Sequence, residues 1–302
     1  MIKLFSNVKS ELGEGPLWHP NRESLFWLDI IKQTLYEKAF DSIEADFDKS
    51  WQLPEISSAL ALDGESNNSI LMVTNRCFGR LDLDTGEFCS LIALPIDDNM
   101  RANDGGVAPN GEFWFGTMEK KPTGNNGDIY SLSPSGKLTN QLAKIGIPNT
   151  FCWSAAEKQF YLSDSLRQKM YSFDMSDNEV LLNSEKEIFV DLSRGDSTPD
   201  GGAMDINGDL WNAHWDGFKI QCYAANNKQR DTLNLPVPKV TSCCFGGPDL
   251  RHLFITTARE GMSAIELQEY PLSGHVFVVE LPVIGQQIPA FFYGPDISMV
   301  NK

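Results

Sequence analysis

The sequence predicts an all-β chain folded as a six-bladed β-propeller, with four-stranded blades around a central channel. Three observations carry that expectation. Short aromatic or β-branched runs recur along all 302 residues, turn signals separate them, and a larger unit repeats every ~40–50 residues, the length of one four-stranded blade.

The runs come first. Ser24-Leu25-Phe26-Trp27-Leu28-Asp29 and residues 69–73, 128–132, 159–163, 209–211, 252–255 and 275–279 have strand composition. Between them lie Asp84-Thr85-Gly86, Pro109-Asn110-Gly111, Pro134-Ser135-Gly136 and Ile206-Asn207-Gly208. These are turn sequences, because Asn, Asp and Gly accept backbone conformations that other residues resist. No long window holds a helical period, so little helix is expected.

The repeats follow. Glu14-Gly15-Pro16-Leu17-Trp18, Asp104-Gly105-Gly106-Val107-Ala108 and Asp200-Gly201-Gly202-Ala203-Met204 each place a polar and a small residue before a short apolar strand. An aromatic or leucine-bearing strand comes about ten residues later in each. Weaker copies begin at Ser57, Asn149 and Thr241. One such sheet cannot cover both of its faces, whereas six set radially pack face to face. No low-complexity linker interrupts the series, so residues 1–302 read as a single propeller domain. Ring closure calls for residues 2–8 to add a strand to the last blade, which otherwise ends after residues 276–281.

Composition narrows the partners. Lys and Arg number 25 against 41 Asp and Glu, a net charge of -16. So acidic a surface repels phosphate backbones and anionic headgroups, which argues against nucleic acid and membrane partners. The opening Met1-Ile2-Lys3-Leu4-Phe5-Ser6-Asn7 leads into no apolar core of a signal peptide. Six cysteines without regular spacing, including adjacent Cys243-Cys244, suit buried free thiols in a reducing compartment. A cytoplasmic location is the expectation.

In a propeller the first strand of each blade lines the axis, so the residues opening the repeats converge at one mouth: Glu14, Asn103 or Asp104, Asn149 and Asp200. Carboxylates brought together disfavour their shared charge unless a cation sits among them. An all-oxygen set suits Ca²⁺, Mg²⁺ or Mn²⁺, with Zn²⁺ admissible. The competing explanation is that each residue merely caps its strand entry by Asx-type bonds. Several at equivalent repeat positions favour the metal. Other constellations fail. There is no Gly-x-Ser-x-Gly elbow, and Gly13-Glu14-Gly15 lacks the third glycine of a dinucleotide fingerprint. His214, between Trp211 and Trp215, reads as packing more readily than as a substrate contact. Cys243-Cys244 reads as alternation across one blade strand.

The segments Leu12-Gly13-Glu14-Gly15-Pro16-Leu17-Trp18, Arg101-Ala102-Asn103-Asp104-Gly105, Phe115-Gly116-Thr117-Met118 and Pro199-Asp200-Gly201 stand along the chain in one order and register. With Thr241-Ser242-Cys243-Cys244-Phe245-Gly246-Gly247 and Thr257-Ala258-Arg259-Glu260-Gly261-Met262, they make the chain resemble the gluconolactonase / regucalcin (senescence marker protein) / luciferin-regenerating-enzyme family over essentially its whole length. The resemblance implies one catalytic divalent metal at the channel mouth, calcium or zinc before magnesium or manganese. Its ligands fall on Glu14, Asn149 and Asp200, and its substrate contacts on Arg101 and Asn103. Two departures stand out: Asn149-Thr150 replaces the family's frequent Asn-Gly, and the acid after Gly-Thr-Met matches only loosely, Glu119 being the candidate.

The activity so implied is a metal-dependent lactonase opening a sugar lactone, an aldonolactone, to its sugar acid, with Asp200 as the catalytic residue. The rival readings are a hydrolase of another ester such as an organophosphate, and a non-catalytic calcium-binding regulatory propeller.

Overall fold

A computed structural model describes residues 1–42, 45–156, 158–175 and 186–294. Its strands form six four-stranded antiparallel sheets. Blade one holds β2 (Gly13–His19), β3 (Ser24–Asp29), β4 (Thr34–Ala39) and β5 (Lys49–Gln52). Blade two holds β6 (Ser57–Leu62), β7 (Ser69–Thr74), β8 (Cys77–Asp82) and β9 (Phe88–Ala93). Blade three runs through β10 (Met100–Val107), β11 (Phe113–Glu119), β12 (Gly127–Leu132) and β13 (Leu138–Ile145). Blade four has β14 (Pro148–Ser154), β15 (Gln159–Asp164), β16 (Lys169–Asp174) and β17 (Glu187–Asp191). Blade five has β18 (Thr198–Met204), β19 (Leu210–Trp215), β20 (Lys219–Tyr223) and β21 (Gln229–Asn234). Blade six is β22 (Val240–Gly246), β23 (His252–Thr257) and β24 (Val276–Glu280), and its outer strand is β1 (Lys3–Ser6). The propeller expected from the repeats is therefore the observed fold, and every repeat opening lies on an inner strand.

Adjacent inner strands pack in the cycle β2, β6, β10, β14, β18, β22 and back to β2. The strand pairing that brings the two ends of the chain together is Leu4 opposite Phe277 and Lys3 opposite Val278. Among the described residues the only α-helix is α1 (Ala264–Glu269), in the β23–β24 connection.

Period-two alternation makes the core. In β3, Phe26 and Leu28 join a cluster with Leu60 and Met72 of blade two, while Leu25 and Trp27 join Phe254 and Cys244 of blade six. Strand neighbours point to opposite faces, so one strand serves two interfaces. The same division recurs around the ring, giving a cluster at each of the six blade junctions. Cys243 and Cys244 divide in this way between the junctions with blades five and one. All six cysteines are free thiols, and only Cys89 is exposed.

Inner strands carry a second regularity. In every blade the inner strand has one residue more than the β-strand beside it across a single irregularity. Such a bulge twists the strand and re-aims a side chain. Gly15, Asn103, Asp104, Thr150 and Asp200 lie within these bulges, and Glu14 and Asn149 immediately precede them. At the opposite end the chain after β24 crosses the channel: Gln286 N–H bonds Met204 O, and Phe291 is buried against Phe78 and Phe113.

Candidate functional site

Four inner strands bring their opening residues to one end of the channel. Asn103, Asn149 and Asp200 are 9%, 5% and 7% exposed. Burial is the largest influence on the acids. It pushes the Glu14 carboxyl up to about 8, with Asp104 adding to the rise. Asp200 is raised well above the usual carboxylate range by burial, then by Glu14 and Asp104. Arg101 stands in the same field: burial lowers its pKa, opposed by Glu260, Glu14 and Asp200. Removing acids from water disfavours their charged form, and gathering them compounds the effect.

Asp104 differs from the other two acids. Burial raises it to about 6, opposed by N–H donors from Gly105, Phe151 and Thr150. Gly105 N–H donates to Asp104 Oδ1 at 2.8 Å, and the Thr150 and Phe151 N–H groups of blade four face the same carboxylate. Among the described residues the Glu14 carboxylate accepts only the N–H of the glycine that follows, Gly15, and the Gly201 N–H likewise opposes the rise at Asp200. Gly201 has no room for a side chain, since a Cβ there would stand 2.1 Å from the Ser242 hydroxyl.

Donor chemistry fits a cation. Glu14 and Asp200 have oxygen lone pairs to spare and belong to no ion pair among the described residues. Among those residues no three His, Cys, Asp or Glu side chains group as a metal cluster, so the set depends on a neutral oxygen, which Asn149 offers. Two carboxylates and an amide oxygen are hard ligands suited to a divalent ion.

A directed hydrogen-bond chain runs through this end of the channel. Arg101 Nη1 donates to Asn103 Oδ1 at 2.7 Å and to Ala102 O at 3.0 Å. Asn103 Nδ2 donates to Asn149 Oδ1 and to Pro148 O, both at 2.9 Å. Asn149 Nδ2 then donates to Ser165 Oγ at 2.9 Å, and Ser165 Oγ donates to Pro199 O at 2.6 Å. Both N–H groups of Asn103 are thus used within the protein. Arg101 keeps Nε and Nη2 without a hydrogen bond among the described residues and belongs to no ion pair there. A surface ion pair does not account for it.

Other expected residues sort plainly. The Glu119 carboxylate accepts from Thr123, Gly124 and Asn126. Arg101 is opposite Met118 in the β10–β11 ladder. Glu119, the next residue, therefore projects from the other face of the sheet, and the structure does not bring it to Arg101. Glu260 does influence Arg101 and Glu14. It lies just after β23, and its backbone bonds Glu11 O and Lys239 Nζ. The segment 257–262 was its only signal in the sequence. His214 is fully buried between Ser197 Oγ (3.2 Å) and Tyr223 OH (3.1 Å), which is a packing role.

Comparison with known proteins bears on this geometry. A family profile described as "SMP-30/Gluconolactonase/LRE-like region" matches residues 12–259. A pentonolactonase of Haloferax volcanii is 32% identical over 255 residues, 83% of this chain and 83% of its own. Regucalcin of Gallus gallus is 30% identical over 287 residues, covering 92% of this chain and 93% of that one. The crystal structure of a calcium-binding protein, regucalcin, from Agrobacterium tumefaciens superposes with a TM-score of 0.89 at 28% identity, covering 95% and 96%.

Proposed function

Because the chain belongs to the SMP-30/gluconolactonase/LRE-like family, we propose that it is a metal-dependent lactonase that hydrolyses a sugar lactone to the open sugar acid. The observation that carries this reading is the convergence of half-buried Glu14 with buried Asn149 and Asp200 beside an arginine with free donors. Those three residues would hold the divalent ion, calcium or zinc by preference. A divalent ion there supplies Lewis-acid polarisation of the lactone carbonyl and a more acidic water.

The chain's own groups do the rest. Asp200 orients the attacking water and accepts its proton at a carboxylate oxygen; later it returns that proton to the departing ring oxygen. Nε and Nη2 of Arg101 bind ring hydroxyls in a fixed fork. Asn103 offers the ring only its remaining oxygen lone pair, because its donors are engaged. Glu260, whose carboxylate has no hydrogen-bond partner among the described residues, supplies the acidic sugar contact sought at Glu119.

A second reading, calcium binding without turnover, draws on the relative described as a calcium-binding protein. Acid release from a panel of aldonolactones, an aryl ester and a phosphotriester separates the possibilities. Turnover confined to hydroxylated lactones supports the lactonase. Turnover of the phosphotriester alone supports the other hydrolase. No turnover with stoichiometric calcium binding supports the binding protein.

A further inference from the structure

We infer that Ser165 is a positioning residue that sets which end of the Asn149 amide faces the channel; the inference rests on the metal site proposed above. Ser165 follows β15 and is itself buried, at 8% exposure. Its single hydroxyl proton goes to Pro199 O at 2.6 Å. Only lone pairs then remain for Asn149, 2.9 Å away, so Asn149 must present its NH2 there.

The other end of the amide is constrained in the same sense. Asn103 directs an N–H at Asn149 Oδ1, and the Asn103 amide is itself held by Arg101 at its oxygen and Pro148 O at its nitrogen. Rotating the Asn149 amide by a half turn would set NH2 against NH2 at Asn103 and oxygen against lone pairs at Ser165. Two buried bonds would become two repulsions, each leaving an unsatisfied group. Because a cation binds oxygen and repels an amide NH2, the orientation decides whether Asn149 is a ligand at all.

The hydroxyl also reaches across a blade junction. Asn149 is on β14, and Pro199, on β18, immediately precedes Asp200. Ser165 therefore ties the amide of one proposed ligand to the backbone that carries another. Removing it loosens both, while Glu14 is unaffected. Ligand-orienting groups of this kind typically contribute about 10–100-fold in metal affinity.

The test is a calorimetric titration of the full chain with calcium chloride and, separately, zinc chloride, for the wild type, Ser165→Ala, Asn149→Asp and the double variant. Circular dichroism and thermal unfolding monitor the fold. Ser165→Ala should weaken binding about tenfold or more. In the Asn149→Asp background it should cost much less, since a carboxylate presents oxygen either way round. Ser165→Cys, which keeps the volume but is a poor acceptor, carries the same expectation should the alanine variant not fold. Unchanged affinity in Ser165→Ala, or the same loss in both backgrounds, overturns the positioning role alone. A wild type that binds neither ion overturns the metal reading and this role with it.

Discussion

Gly15 and Thr150 occupy the same place in blades one and four: each follows a proposed ligand, lies within a bulge and has a left-handed backbone, with φ of 54° and 60°. Glycine adopts that conformation freely, whereas a β-branched residue is strained there. Thr150 is held by its hydroxyl, which bonds Ser163 Oγ at 2.7 Å and the Asp200 carbonyl, and accepts from Asn212 Nδ2 at 2.9 Å. The side chain fastens the Asn149 bulge to the strand carrying Asp200.

Replacing Thr150 tests that balance. Thr150→Ala keeps the left-handed strain and removes the bonds, so it should destabilise by about 1–3 kcal/mol. Thr150→Gly relieves the strain while losing the same bonds, and should fall between the alanine variant and the wild type. Urea unfolding gives the order, and an alanine variant as stable as the wild type would show the hydroxyl bonds to be immaterial.

His214 gives a pH signature. Burial, with a smaller effect from Lys219, lowers it from 6.5 to about 3. A base whose folded pKa is depressed contributes stability above its unfolded pKa and loses it as pH falls toward the folded value. The window therefore runs from 6.5 down to about 3. At pH 5 the loss is about 2 kcal/mol. His214→Gln removes the titration while keeping a polar side chain, so the stability gap between wild type and variant should shrink by that amount between pH 7.5 and pH 5. A pH-independent gap would mean that His214 does not titrate in this way.

Asn103 links recognition to the metal. Because Nδ2 bonds the proposed ligand Asn149 and Oδ1 holds Arg101, Asn103→Ala should weaken calcium binding about tenfold as well as lower kcat/KM. A residue touching substrate alone would change KM and leave the calcium isotherm as it was.

The fold was legible because repetition survives without an alignment: Asp104-Gly105 and Asp200-Gly201 resemble each other by eye, and six such openings require a ring. Ligand candidates followed from the same register. The bulges were not legible, since an extra residue exists only relative to a paired strand. That is why Asp104 and Asn149 looked alike in the sequence, although one carboxylate caps backbone N–H groups and the other side chain stands in a relay. Glu119 drew attention through proximity to Gly-Thr-Met, yet pleating turns it to the opposite face from Arg101. Ser165 gave no signal, because its role depends on two other blade positions.

The proposed role of Glu14, Asn149 and Asp200 is to hold one catalytic cation. Its most direct measurement is aldonolactone turnover by chelator-stripped protein as calcium or zinc is added back in increments, with metal-loaded Asp200→Asn alongside. Turnover should be absent at the start and rise to a plateau at one equivalent of ion, and the loaded variant should be slower by orders of magnitude, about 10²–10⁴-fold for loss of a proton acceptor. Full turnover by the stripped protein, or near-normal turnover by the loaded Asp200→Asn variant, would contradict the account.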